Sequence, residues 1–112
     1  MTNTELLKHA ISNKLGVSGH YDGFYREFCP HAIGWKSPTK KTTHDTHKVI
    51  VYQFGGDTSD GPIPAGGGWK CFEVDGLSGL AIHKIDEWQT AANHTRPNTC
   101  MDQDRIDLEV KF

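Results

Sequence analysis

The first fifteen residues carry apolar side chains at three-to-four spacing, Leu6, Leu7, Ala10, Ile11 and Leu15, with Lys8, His9 and Asn13 between them. That spacing lays one apolar stripe along a helix. Thr2-Asn3-Thr4-Glu5 opens the stretch and fits a capping box, in which the Thr2 hydroxyl accepts from the Glu5 amide and the Glu5 carboxylate accepts in return from the Thr2 amide. The pattern predicts a helix beginning there and stopping near Gly16.

From Leu15 to Tyr21 the pattern loosens towards alternation. Asp22-Gly23 follows, a dipeptide that takes positive backbone angles cheaply and closes two-residue hairpins. Phe24 to Trp35 forms the second strand, with Tyr25, Glu27, Cys29, His31, Ile33 and Trp35 expected on one face and Phe24, Arg26, Phe28 and Pro30 on the other. Pro30 has no amide hydrogen, which predicts an edge or a bulge at that point.

Lys36 to His47 contains no aliphatic or aromatic residue and reads as a solvated loop with a basic start. His47 to Phe54 is β-branched and aromatic, as in a central strand buried on both faces. Gly55 to Gly68 holds six glycines and two prolines, which predicts an irregular, mobile flap. Trp69–Val74 and Gly76–His83 read as further strands. Lys84 to Asp104 is mostly polar, with Ile85, Trp88 and Met101 as anchors. The tail from Arg105 alternates so that Ile106, Leu108, Val110 and Phe112 face the core. One helix, then five or six short strands joined by hairpins, predicts a mainly β fold: an antiparallel sheet curled into a small barrel. At 112 residues the chain is one domain, 1–112.

Charge narrows the partners. Twelve Lys and Arg against fourteen Asp and Glu supply no broad positive field for nonspecific nucleic-acid binding. No run reaches the roughly 18 apolar residues of a membrane helix, and the polar start of the chain places the protein in the cytoplasm with no membrane partner. Three widely spaced cysteines, Cys29, Cys71 and Cys100, do not read as a disulfide framework and leave room for at most one bridge. Asn93-His94-Thr95 matches a glycosylation acceptor but has no secretion signal with it.

Cys29 and His31 lie two apart on a strand and share a face, but two ligands do not make a zinc site. The further candidates, His44, His47, Cys71, His83, His94 and Cys100, lack metal-ligand spacing, so no metal is assigned. Cys29 with His31, or Cys71 with His83, can pair as thiol and base, yet neither cysteine sits at a helix start or turn that lowers a thiol pKa. The glycine-rich stretch lacks the Gly-Lys-Ser/Thr ending of a phosphate loop. Polar residues inside strands say more, because a sheet interior keeps them only when paired or used. Arg26, His31, Gln53 and Lys70, with Tyr52 and Trp69, are expected to line a pocket beneath the flap: cations for an anion, rings for a flat group.

The order Tyr21-Asp22-Gly23, Arg26, Pro30-His31-Ala32 with Gly34, Tyr52-Gln53 with Gly55-Gly56, Gly68-Trp69-Lys70 with Phe72, Val74-Asp75 and Arg96-Pro97 resembles a group of short bacterial proteins related to the WYL domain. The resemblance implies an SH3-like or Sm-like β-barrel and a ligand-sensing, regulatory role towards negatively charged ligands such as nucleotides. The chain departs from that family in reading Val49-Ile50-Val51 where Trp-Tyr-Leu falls, and Lys70, Glu73 and Gly76 where arginines flank the later phenylalanine. The expectation is a non-enzymatic sensor for a small anionic ligand held by Arg26, His31, Tyr52, Gln53, Trp69 and Lys70, with no cofactor. The rivals are a small thiol enzyme or hydrolase using Cys29 and His31, and a protein-interaction adaptor without ligand.

Overall fold

The computed structural model describes residues 1–91 and 100–111. The Asn93-His94-Thr95 triplet, Arg96-Pro97 and Phe112 lie outside them. Helix α1 spans Asn3–Asn13, and both arms of the capping box form, Glu5 N to Thr2 Oγ1 at 3.1 Å and Thr2 N to Glu5 Oε1 at 3.0 Å. The helix ends at Lys14, whose φ of 51° is left-handed, two residues before the expected stop.

Among the described residues seven strands follow: β1 (Gly16–Tyr21), β2 (Phe24–Lys36), β3 (Thr46–Thr58), β4 (Gly61–Pro62), β5 (Gly68–Glu73), β6 (Ser78–His83) and β7 (Ile106–Glu109). All pairings are antiparallel, in the order β4-β3-β2-β1-β6, with β5 added to β3 and β7 to β2. The pairing is that of an open sheet, so the fold is mainly β with one helix. Asp22 and Gly23 both take positive φ, 53° and 80°, and close the β1–β2 hairpin as expected. The expected central strand, β3, lies between β2 and β5 and is buried from Val49 to Gln53.

One face of the sheet packs against α1. Leu7 and Ile11 from the helix meet Phe28, Ile33, Val49, Val51 and Phe72 from the strands, and this cluster is the main core. Ala32, Ile50, Cys100 and Met101 form a smaller cluster, with Trp69 and Ile106 against it.

Two sequence expectations change. The stretch from Gly55 is not wholly irregular: β3 runs on to Thr58 and turns back through β4, with Thr58 Oγ1 donating to Gly61 O at 2.8 Å. Glycine there permits the turn without preventing the ladder. The two-face reading of β2 fails past Pro30. Pro30 lies opposite Val51 and Ala32 opposite Ile50, which makes His31 an extra residue, a bulge that carries Ile33 onto the face of Phe28 and Val49. The one bridge that the three cysteines leave room for forms between Cys71 and Cys100, across a sequence separation of 29. Simple spacing rules miss it because only the fold brings β5 beside the segment before β7.

Candidate functional site

The bulge at His31 builds the site. Its carbonyl accepts from Val110 N at 2.7 Å, and its ring is fully buried between two indoles. Trp88 stacks on it with centroids 4.3 Å apart and 29° between planes, while Trp69 meets it edge-on at 4.7 Å. Nδ1 lies 2.8 Å from Cys29 O and Nε2 2.8 Å from Thr90 Oγ1. A carbonyl only accepts, so Nδ1 carries a proton, and in the neutral ring Nε2 accepts from the Thr90 hydroxyl. Tyr52 continues the aromatic row, edge-on to Trp69 at 5.1 Å.

Residues 84–91 cross this row as a strap. Beneath it lies a cleft of about 670 Å³, lined by Tyr52 and Gly66 on one side and by Lys84 to Thr90 on the other. Its size suits a small molecule. The Tyr52 hydroxyl donates to Gly66 O, which ties the glycine-rich loop to the cleft wall. Gly67 next to it has φ +86°, and a Cβ there would lie 2.6 Å from the Tyr52 ring, so only glycine lets the loop close on the tyrosine.

The six residues expected to line one pocket divide between two places. His31, Tyr52 and Trp69 come together in the aromatic row. Arg26 and Gln53 sit on the opposite face, that of the main core. Arg26 as a whole residue is 3% exposed, and its guanidinium lies within 5.2–5.7 Å of the Phe72, Tyr21 and Phe24 rings. The guanidinium donates to Tyr21 O at 3.2 Å and to Gln53 Oε1 at 3.3 Å, and its buried Nε has no hydrogen-bond partner among the described residues. Burial lowers its pKa, opposed by Asp22, Tyr21 and Asp57. Gln53 in turn donates to Gly55 O and Asp57 O, at 2.9 and 3.0 Å, and so braces the second bulge, where Phe54 is the extra residue. Lys70 is half-buried opposite Val51. Of the six expected residues only Tyr52 lines the 670 Å³ cleft.

Cys29 is fully buried, and burial pushes its thiol up to about 11, against the opposing effect of the Gln89 amide, which donates to Sγ at 3.4 Å. His31 turns its Nδ1 to the Cys29 carbonyl instead of the thiol. A thiol nucleophile needs its pKa lowered, and this site does the reverse. Alkylation of native Cys29 by iodoacetamide at pH 7.5 is expected to run at least 100-fold slower than that of a free cysteine; a rate near the free value would restore the enzyme reading. The raised value also fixes a sign. The neutral thiol is favoured in the folded state, so its full contribution to stability is present below 9.0 and is lost as pH rises towards about 11. Cys29→Ala should lose that part of the alkaline fall in denaturant titrations.

Among the described residues no group of three His, Cys, Asp or Glu side chains is placed to hold a metal ion, and no helix is long and apolar enough to cross a membrane. Sequence reasoning missed the strap. Trp88 was legible only as an anchor, and the one signal for its role was a tryptophan alone in a polar stretch. No protein-family model matches the chain, and no curated protein or solved structure is similar to it.

Proposed function

We propose that this protein is a non-enzymatic binding or sensor module whose ligand enters the cleft between Tyr52 and the strap. The observation that supports this reading is the cleft of about 670 Å³ itself, whose wall residue Trp88 stacks on the buried His31 ring. Bulges recur beside functional sites because they re-aim a side chain, and His31 is such a residue. The ligand is small and partly flat, with an anionic group for Lys84. Asp86 and Glu87 share the lining, and their charge opposes polyanions, so a nucleoside monophosphate or aromatic acid fits better than a triphosphate or a polynucleotide.

The accompanying fold proposal is an SH3-like or Sm-like barrel, supported by two bulges that bend the β2–β3 ladder, and it goes with the WYL resemblance and a cytoplasmic location. The adaptor reading has one observation in its favour: β6 is an edge strand with Ile82 42% exposed, a place where a partner strand can add.

A thermal-shift screen over nucleosides, nucleotides and aromatic acids tests the proposal. At least one planar monoanion should raise the melting temperature, since a ligand bound only by the folded state stabilises it. Lys84→Ala should remove the shift and leave the unliganded melting temperature unchanged. A panel without a stabiliser would sink the proposal in favour of the adaptor.

A further inference from the structure

We infer that the cleft takes a zwitterion, an aromatic α-amino acid with its carboxylate and ammonium both free. The inference rests on the ligand-binding reading above and narrows it to one chemical class.

The charges on the cleft wall separate the classes. Among the described lining residues Lys84 is the cation, and Asp86 and Glu87 are the acids. All three are exposed, and among the described residues their side chains make no hydrogen bond or ion pair, with one another or with any neighbour. Their charges are therefore open to whatever enters. One cation against two acids leaves the wall net negative, so a ligand that is only an anion gains Lys84 and meets two like charges. A ligand that is only a cation gains the acids and meets Lys84. A zwitterion uses both signs: its carboxylate accepts from the Lys84 ammonium while its own ammonium donates to Asp86 or Glu87, giving charge-assisted hydrogen bonds at each pole.

The head group is compact. Lys84 and Glu87 are three residues apart, so their backbones lie within about 11 Å of one another, which suits two charges carried on one carbon better than charges at the far ends of a long molecule. Of the anions considered above, a phosphate monoester carries about 1.5 to 2 negative charges at pH 7 and a carboxylate carries one. The carboxylate meets less repulsion from the two acids.

The rest of the wall suits a flat apolar side chain. Tyr52, Ile85 and Trp88 line it, and both rings are fixed before any ligand arrives, Trp88 stacked on His31 and Tyr52 edge-on to Trp69. Binding then orders fewer side chains.

Calorimetric titration at pH 7 and low salt with matched probes tests the inference. The first set is phenylalanine, 3-phenylpropanoate, which lacks the amine, and 2-phenylethylamine, which lacks the carboxylate; tyrosine and tryptophan with the same two analogues complete the panel. At least one amino acid should bind tenfold or more tightly than both of its analogues. Asp86→Asn/Glu87→Gln should remove that preference and strengthen the plain acid severalfold, because neutral amides end the repulsion. Lys84→Ala should weaken the amino acid and the acid but not the amine. A plain acid that binds as tightly as its amino acid would overturn the zwitterion and leave the anion reading standing. Failure of every amino acid in the panel would overturn it equally, whatever other anion raises the melting temperature.

Discussion

Replacing Cys71 and Cys100 together by serine is expected to lower folding stability by about 3–4 kcal/mol. The bond joins positions 29 apart, and the chain-entropy account of closing a loop of that length gives about 3.6 kcal/mol at room temperature. Little offsets the loss. Serine at the exposed position 71 is hydrated, while serine at the buried position 100 adds a small polar cost among Ala32, Ile50 and Met101. Urea titration of the oxidised wild type against the variant measures it, and the melting temperature should fall by on the order of 10 °C or more. A loss below about 1 kcal/mol would show that the bond is not closed in the folded protein in solution.

Phe72→Ala is expected to cost about 3–5 kcal/mol, the range for removing a buried aromatic ring. Phe72 is 2% exposed, lies edge-on to Phe28 at 5.4 Å and tilted against Tyr21 at 4.5 Å, and supports the Arg26 guanidinium at 5.2 Å. Its removal leaves a cavity and takes one wall from a buried charge. Arg26→Ala is expected to lose about 3 kcal/mol, from the cavity and from leaving Gln53 Oε1 without its donor. Arg26→Met keeps the stem packed among the rings and should recover about half of that loss. The order Phe72→Ala, Arg26→Ala, Arg26→Met, worst first, is read from denaturant midpoints. If Arg26→Ala costs less than about 0.5 kcal/mol, the guanidinium is free in solvent and available to an anion, contrary to its buried position.

Most of the architecture was legible because it is written in local patterns. The capping box, the Asp22-Gly23 turn, the β-branched run of β3 and the missing amide of Pro30 each depend on neighbours in sequence, and each appears where expected. What was not legible depends on long-range placement. The phase of β2 past Pro30 is set by one unpaired residue, which alternation cannot show. Arg26 and Gln53 were rightly singled out as polar residues needing partners, but they satisfy one another and the backbone. Tyr52 and Gln53 are consecutive on β3 and so point to opposite faces, which by itself parts the expected six-residue pocket. The strap has no periodicity at all, and its place is set by long-range contacts of Trp88 and Thr90 with His31.

The bulge in β2 has an evolutionary corollary. Since Pro30 pairs with Val51 and Ala32 with Ile50, a chain shortened by one codon at His31 would keep every flanking partner in register and gain a smoother ribbon. The same deletion would remove the imidazole from between the two indoles and the carbonyl that accepts from Val110 N, so the aromatic row exists because of that one added residue.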